Sequence, residues 1–285
     1  MYEVRPLNDV LCVDLHWEDR DYSQEFLLIS DLHIDSPHAD RKLIKALCDE
    51  AVDKGAGILI NGDLFDAMQG KHDGRSARSE LRDEQRRDDY INYLIEDTAL
   101  FFAPYADRLV YLGLGNHETA ILHHNDVHLM PLLADRLELT TGKRPHVGGY
   151  GGWIFFRTAR LTGKSKGNRR TYKMFAYHGS GGANTTTKQN RRAILYPDAD
   201  IVWTGHTHKM KEEPEQRYRV TDGGKEYIDS QYHIVSGTFK AEHRKDYTGW
   251  ADLREHKPPF YGGYWLKFAP KRQGPFLHIS TEKAQ

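Results

Sequence analysis

The sequence contains few cysteines, no long apolar run and almost no net charge. Cys12 and Cys48 are too few for a disulfide framework or a thiolate zinc site, and two thiols in 285 residues are typical of a reducing compartment. No segment approaches the ~18 apolar residues of a membrane span. Residues 1–6 also lack the apolar stretch of a signal peptide. We therefore expect a cytoplasmic protein without a membrane partner.

The net charge of −1 conceals an uneven distribution of charge along the chain. Residues 157–211 contain twelve lysines or arginines but only two acids, Asp198 and Asp200. This segment therefore carries about ten positive charges, and the remainder is correspondingly acidic. Such a segment can attract an anionic substrate through its field. The alternative explanation of the positive charge is a hairpin loop at residues 162–170 that only increases solubility.

A chain of 285 residues can form one large domain or two small ones, and the absence of a linker-like stretch between residues 31 and 208 favours a single domain over residues 1–285. A hydrophobic content of 39% and a charged content of 28% are ordinary for a globular protein. Charged residues dominate residues 68–90, which we interpret as an insertion near the candidate site. Residues 209–285 contain several strand-like segments and are interpreted as the β-rich C-terminal part of the same domain.

Five short apolar runs are each followed by residues of the types that bind metal ions. Runs of four to six apolar residues bounded by Gly, Asp or Asn indicate buried strands. Open α/β sheets bind their ligands just beyond the carboxyl ends of such strands. The pattern therefore predicts a metal centre at a sheet edge. The residues that follow the runs are Ser30-Asp31-Leu32-His33, Asn61-Gly62-Asp63, Gly115-Asn116-His117-Glu118, His178 and Gly205-His206-Thr207-His208.

Helical periodicity separates the first strands, whereas strands dominate the second half of the chain. Apolar spacing predicts helices over residues 38–54, 91–102 and 126–137. The strand–helix–strand order at the start is typical of a parallel crossover unit. Further strands are predicted at residues 153–161, 171–177, 218–220, 232–235 and 264–268.

The five motifs, in this order, resemble the signature of the calcineurin-like metallophosphoesterase superfamily. That signature is Asp-Xaa-His, Gly-Asp, Gly-Asn-His-Asp/Glu, His and Gly-His-Xaa-His, and its elements extend here from Ser30 to His208. The resemblance implies an α/β fold, a four-layer α-β-β-α sandwich with two mixed sheets flanked by helices. The resemblance to Mre11/SbcD-type nucleases is more distant. Those nucleases usually carry a capping region after the last histidine motif, and we do not expect one in the 77 residues that follow His208.

The resemblance also implies two divalent metal ions and their seven ligands. Carboxylate, imidazole and amide ligands without thiolate favour Mn, Fe or Zn, and we expect Mn. Two cations about 3.5–4 Å apart can share a water, and the resulting hydroxide would attack a phosphoryl group in line. The ligands would be Asp31, His33 and His208 for one metal, Asn116, His178 and His206 for the other, and Asp63 as the bridge.

Two further residues are expected to be catalytic by the same resemblance. His117 would protonate the leaving oxygen or stabilise charge there, and Asp66 would supply a carboxylate that fixes the imidazole of His117. A structural histidine and a helix N-cap are the respective alternatives.

Six basic residues are candidate substrate contacts. Four arginines in the 68–90 insertion are spaced three, four and four residues apart, so a helix would align them toward a phosphate. Acidic residues in the same segment favour an internally paired, solvated helix as the alternative. The six candidates are Arg75, Arg78, Arg82, Arg86, Lys188 and Arg191.

The leading hypothesis is a metal-dependent phosphoric ester hydrolase acting on a nucleic acid, DNA or RNA, or on a nucleotide-like substrate. A phosphomonoesterase for a small metabolite, nucleotide or phosphoprotein is the alternative within the same chemistry. A binding scaffold that has lost catalysis is the contrasting class. Such scaffolds usually lack ligands or the histidine after the asparagine, and both are present here.

Overall fold

The computed structural model describes residues 2–67, 81–162, 165–180, 192, 194–241, 243–244, 247–248, 260–271 and 276–285. The strands in these ranges are β1 (Tyr2–Leu7), β2 (Val10–Trp17), β3 (Gln24–Ile29), β4 (Gly57–Asn61), β5 (Leu109–Gly113), β6 (His146–Val147), β7 (Gly151–Thr162), β8 (Ser165–Tyr177), β9 (Ile201–Thr204), β10 (Lys211–Val220), β11 (Glu226–Val235), β12 (His243–Arg244), β13 (Tyr247–Thr248), β14 (Gly263–Pro270) and β15 (Leu277–Ala284). The helices are α1 (Arg41–Asp53), α2 (Tyr90–Phe102), α3 (Asn116–Asn125) and α4 (Leu129–Thr141).

A six-stranded sheet has the order β15-β14-β3-β4-β5-β6. Strands β3 to β6 are parallel, whereas β14 and β15 pair antiparallel at one side. Helix α1 connects β3 to β4, and α2 lies between β4 and β5, because parallel neighbours need a crossover connection. All five residues of both β4 and β5 are buried, which explains why these strands appear in the sequence as continuous apolar runs.

Helix α1 illustrates how the sequence builds the helical layer on this sheet. The Asp40 carboxylate caps the helix by accepting a hydrogen bond from the Leu43 N–H at 3.0 Å. Gly55 follows the helix with a φ of +63°, a conformation that glycine adopts without strain. Spacings of three and four residues place the apolar side chains on one buried face. That face consists of Ile44, Leu47, Cys48 and Ala51.

A seven-stranded sheet has the order β1-β2-β7-β8-β9-β11-β10 and packs face to face with the six-stranded sheet. Phe26 of one sheet and Phe156 of the other meet with ring centroids 4.9 Å apart, and Phe268 lies 4.9 Å from Phe156. Each ring is fully buried, and burying a phenylalanine stabilises a fold by roughly 1.5–3 kcal/mol. These rings join the two sheets into one core.

The architecture is a mixed α/β fold with two mixed sheets flanked by helices, as the sequence predicted. Helices α1, α2 and α4 pack against the six-stranded sheet. On the outer side of the seven-stranded sheet, the Tyr196 ring stacks on Phe175 at 4.0 Å. The Gln231 side-chain amide donates a hydrogen bond to the Tyr196 carbonyl oxygen. Among the described residues, none of the helices is long and apolar enough to cross a membrane.

Several predicted boundaries differ from those in the structure. The helix expected over residues 126–137 is α4, which begins at Leu129, because Asp126 has a left-handed φ of 55° and ends the preceding helix. Helix α3 was not predicted, since its residues carry a ligand motif in place of a regular apolar stripe. Strands β1 and β2 were also missed: five of the six residues of β1 are exposed, and a buried Asp14 interrupts the apolar run of β2.

Candidate metal centre

The seven predicted ligands meet at one edge of the two packed sheets. Strands β3, β4 and β5 are mutually parallel, as are β8 and β9, so the carboxyl ends of each set meet at one edge. Each ligand lies at or just after the end of its strand. The strands are β3 for Asp31 and His33, β4 for Asp63, β5 for Asn116, β8 for His178, and β9 for His206 and His208.

Potential ligand atoms at this edge form three overlapping groups. In each group the atoms lie within 4.8 Å of one another. Asn116 joins the third of these groups through its Oδ1, which is 2.8 Å from His206 Nδ1. Asp63 belongs to two groups, which is the position that a carboxylate shared between two cations requires. The groups are Asp31, His33 and His208; His33, Asp63 and His117; and Asp63, His178 and His206.

Five of the candidate ligands have left-handed backbone conformations. Such conformations are uncommon outside glycine, although Asn, Asp and His adopt them more often than other residues, and they cost roughly 1–3 kcal/mol each where the residue is strained. Their concentration in these loops means that the surrounding structure holds each turn in place, so that several side chains converge on one point. The φ angles are 54° for Asp31, 45° for His33, 48° for Asp63, 68° for His206 and 52° for His208.

Glycines in the same motifs allow the ligand loops to approach one another closely. A Cβ atom on Gly115 would lie 2.1 Å from the Asp63 carboxylate, and one on Gly205 would lie 2.4 Å from the Asp31 carboxylate. Both distances are shorter than any real Cβ contact. The glycines of the Gly-Asn-His and Gly-His motifs are therefore required by packing around the carboxylates.

The buried imidazoles of His178 and His33 are each held through one ring nitrogen. His178 Nδ1 is 2.7 Å from the Asn61 carbonyl oxygen, so Nδ1 carries the proton and Nε2 faces Asp63 at 3.0 Å. His33 Nδ1 is 3.0 Å from Asp66 Oδ1. Among the described residues, Nε2 of His178 and both ring nitrogens of His33 have no hydrogen-bond partner, so the contact of His33 with Asp66 is a charge contact at 3.0 Å. This arrangement is typical of histidines that bind a metal through the second nitrogen.

The electrostatics of the centre couple its carboxylates to its imidazoles. Burial acts to raise the pKa of Asp63, but His117 and His178 outweigh it and hold the pKa below its ordinary value. Burial acts to lower the pKa of His178, whereas Asp63 and Asp31 raise it to about 10. The carboxylates and the His178 imidazole therefore stabilise each other's charged forms at this buried point.

His117 belongs to the second of the three ligand groups, and Asp66 lies beside it. The backbone N–H of His117 donates to Asp63 Oδ1 at 3.0 Å. Nδ1 of the His117 ring lies 2.5 Å from the backbone carbonyl oxygen of Asp66. The Asp66 carboxylate is farther from that nitrogen, at 3.7 Å. Its closer partners are His33 Nδ1 and the ammonium of Lys240, each at 3.0 Å. The backbone carbonyl group of Asp66 thus contacts His117, whereas its carboxylate contacts His33 and Lys240 more closely.

The sequence of residues 25–210 matches the calcineurin-like phosphoesterase family, and this match covers well over half of the chain. The chain belongs to the calcineurin-like phosphoesterase family. No curated protein matches this phosphoesterase-family chain in a sequence search.

Solved structures give distant similarities over most of the chain. A predicted phosphoesterase from Streptococcus pneumoniae is 12% identical and covers 92% of this chain and 91% of its own, with a TM-score of 0.33. Vps29 from Entamoeba histolytica, solved with zinc, is 12% identical over 92% and 99% of the two chains, with a TM-score of 0.31. GAP50 of Plasmodium, described as the anchor in the inner membrane complex, is 11% identical over 92% and 85%, with a TM-score of 0.42.

Glu118 is the last residue of the Gly-Asn-His-Glu motif, and its structural role was not predicted from the sequence. Its buried carboxylate accepts hydrogen bonds from the N–H groups of Asp63 at 3.1 Å, Phe65 at 3.0 Å and Gly115 at 2.8 Å. Burial and the nearby Asp63 raise the pKa of Glu118 to about 7. Glu118 therefore ties the β4 loop to the start of α3. Its place directly after Asn116-His117 was the available signal.

The donor set fits the two divalent cations that the family implies. Two buried carboxylates and an amide supply oxygen, the imidazoles supply nitrogen, and no thiolate is present among them. Buried carboxylates need a positive partner, and the imidazole Nε2 atoms without hydrogen-bond partners need an acceptor of their lone pairs. One cation at the group of Asp31, His33 and His208 and a second at the group of Asp63, His178 and His206 would satisfy both requirements.

The predicted arginine stripe is not helical in its described half. Arg82 has extended backbone before a 3₁₀ turn at Asp83–Gln85, and Arg86 follows that turn. Arg82 Nε is 3.7 Å from Glu84, and Arg86 Nη1 is 3.0 Å from Asp83. Arg82 and Arg86 are therefore not aligned by a helix, and each guanidinium contacts a nearby acid. The other candidate substrate contacts, Arg75, Arg78, Lys188 and Arg191, lie outside the described residues.

Part of the basic segment 157–211 is already used by the fold. Arg157 makes two hydrogen bonds to the Asp14 carboxylate at 2.6 and 2.7 Å. Arg170 lies over the Tyr172 ring at 4.5 Å, and Arg192 donates to the Thr204 hydroxyl at 3.1 Å. Fewer of these charges are available to a substrate than the sequence count suggested.

Proposed function

We propose that this chain is a metal-dependent phosphoesterase that uses two divalent cations to hydrolyse phosphate esters. One observation carries the proposal: Asp63 is shared between two groups of ligand atoms within 4.8 Å, and one of these groups contains His117. Retention of every family ligand and of His117 favours catalysis over a scaffold role. Manganese is the first metal we would supply, with iron and zinc as the alternatives.

The two cations, when bound, would supply Lewis acidity and an activated water for in-line attack on the phosphoryl group. The protein contributes the geometry. Asp63 would hold both ions at a fixed separation, and Glu118 keeps its loop in place through the Asp63 and Phe65 N–H groups. A rigid arrangement of this kind avoids reorganisation as charge develops on the phosphoryl oxygens.

His117 would act as the general acid toward the leaving oxygen. A carbonyl oxygen can accept a hydrogen bond but cannot donate one. The Asp66 carbonyl oxygen therefore favours the tautomer that has a proton on His117 Nδ1. Nε2 lies on the side of Asp63, 3.9 Å from Oδ2, and would donate its proton to the leaving oxygen from there. Donation of that proton would neutralise the leaving alkoxide.

Nucleic acid or a nucleotide-like phosphodiester is the substrate class that we propose, on the basis of the excess positive charge in residues 157–211. A small phosphomonoester is the second candidate. The ion pairs of Arg82, Arg86 and Arg157 favour it, because paired guanidinium groups contribute little to a polyanion interface.

A substrate screen with defined metals tests the proposal. The protein is stripped of metal, reloaded with Mn, Fe or Zn, and assayed on single- and double-stranded DNA, RNA, cyclic nucleotides, bis-p-nitrophenyl phosphate and p-nitrophenyl phosphate. A His117→Asn variant prepared in parallel controls for contaminating hydrolases. Cleavage of diesters supports the proposed class, and hydrolysis of the monoester alone supports the second candidate. Fewer than one metal ion per chain without turnover would support the scaffold instead.

A further inference from the structure

A buried lysine outside the family motifs contacts the candidate centre. Lys240 lies in the loop after β11, thirty residues beyond the end of the family match. Its Nζ is 3.0 Å from both carboxylate oxygens of Asp66. Lys240 is 9% exposed and Asp66 is 5% exposed. Taking both charges out of water is costly, which makes a pair at this position hard to attribute to chance contact.

The loop that carries Lys240 is attached to a ligand loop by its backbone. The Phe239 N–H and the Thr238 hydroxyl both donate to the carbonyl oxygen of Asp31, at 3.0 and 3.1 Å. On the other side, the Asp40 N–H donates to the Phe239 carbonyl oxygen at 2.8 Å. These bonds fix the backbone of Lys240 relative to Asp31. The fold therefore determines where the ammonium group lies.

Asp66 connects the ammonium to two imidazoles. Its carboxylate contacts His33 Nδ1 at 3.0 Å, and its backbone carbonyl oxygen contacts His117 Nδ1 at 2.5 Å. The Asp66 N–H is itself anchored, donating to Asp35 Oδ1 at 2.5 Å. With the backbone anchored by Asp35 and the carboxylate clamped by Lys240, the residue has little freedom to turn away from either imidazole.

We propose that Lys240 is a positioning residue of the metal centre, acting through Asp66 on the ring of His33. The inference rests on the proposed function. An ammonium has three donors and no lone pair, so Lys240 does not bind a cation itself. It holds the Asp66 carboxylate against His33 Nδ1, 3.0 Å away, and this leaves His33 Nε2 to face Asp31 and His208. Partners of ligand histidines commonly change metal affinity by 10–100-fold when they are removed.

The test measures binding of manganese or zinc alone to the full chain by calorimetry, and metal content after dialysis. The variants are Lys240→Met, which removes the charge, and Lys240→Arg, which keeps it. Lys54→Met is the matched control, because Lys54 pairs with Glu25 and Glu50 at the opposite end of β3. We expect Lys240→Met to weaken one of two metal sites by 10–100-fold. Lys240→Arg should restore most of that loss, and Lys54→Met should match the wild type.

A double variant shows whether Lys240 acts through Asp66 and remains informative if Lys240→Met does not fold. Asp66→Asn with Lys240→Met should bind metal as Asp66→Asn does alone. A further tenfold loss in the double variant would overturn the proposal, as would a folded Lys240→Met protein with wild-type metal affinity at both sites. If the wild type hydrolyses no ester but Lys240→Met still loses metal, the proposed function fails and the positioning role stands.

Discussion

The Nδ1 atom of His117 lies 2.5 Å from the backbone carbonyl oxygen of Asp66, closer than the 3.7 Å that separate it from the Asp66 carboxylate. In the sequence analysis, the carboxylate was the expected partner. A carbonyl oxygen orients the ring without adding a full negative charge beside it. The carboxylate is left to His33 and Lys240.

His117→Asn is expected to retain both metals and to slow hydrolysis by roughly 10²–10⁴-fold, the usual scale of general acid catalysis. The reason is that asparagine keeps the backbone N–H bond to Asp63 but has no proton of suitable acidity. Steady-state kinetics on bis-p-nitrophenyl phosphate, with metal content measured on the same sample, check this. Unchanged kcat would remove His117 from the chemistry.

Asp63→Asn is expected to lose both metals and all turnover, because the amide replaces the one carboxylate that belongs to two of the three ligand groups. Elemental analysis after dialysis is the measurement. Two ions retained per chain would contradict a shared role. One ion retained would assign Asp63 to a single site.

Glu118→Gln is expected to lower the free energy of unfolding by about 1–3 kcal/mol, because three buried N–H groups share its carboxylate and an amide cannot accept from all three. Urea unfolding of the metal-free protein measures this. The exposed Glu3→Gln is the control, expected to fall within about 0.5 kcal/mol of the wild type. Equal stability of both variants would show that the three bonds do not support the site.

Gly205→Ala is expected to displace the Asp31 loop and weaken metal binding at least tenfold. An added Cβ would lie 2.3 Å from Ser30 Oγ and 2.4 Å from Asp31 Oδ2, and both groups are buried. Gly223→Ala is the matched control, since the nearest atom to its Cβ is 3.9 Å away. Calorimetric titration with manganese compares the two, and wild-type affinity for Gly205→Ala would show that the loop can relax.

Asp14→Asn is expected to lower stability near neutral pH by about 1–3 kcal/mol, since Asp14 accepts hydrogen bonds from Arg157 and Arg5. Burial acts to raise the pKa of Asp14, but the two guanidinium groups outweigh it and hold the pKa below its ordinary value.

The sign of the pH dependence of Asp14 follows from that lowered pKa. The stabilisation is present above the unfolded pKa of about 3.9 and is lost as the pH falls through the folded value. The difference between wild type and Asp14→Asn in urea unfolding should therefore shrink below about pH 4. A difference that is constant from pH 7 to pH 3 would contradict the ion-pair explanation. The exposed Asp198→Asn serves as the control.

By itself, the sequence determined the parts of this protein that depend on local pattern and order. Continuous apolar runs marked β3, β4, β5 and β9, because strands buried on both faces need apolar residues at every position. The ligand types after those runs, in family order, identified the family. Helix α1 followed from its apolar spacing and from Gly55.

Only the tertiary structure decided which groups meet. Lys240 follows Asp66 by 174 residues, and Asp14 precedes Arg157 by 143, so neither pairing leaves a local signal. The left-handed turns that aim the ligands, such as that at Asp63, are imposed by the packing around them, since the residue alone disfavours them. The five ligand motifs could be predicted from the sequence because each is a short, local pattern. The ion pairs of Lys240 with Asp66 and of Asp14 with Arg157 form only when distant segments meet in the folded protein.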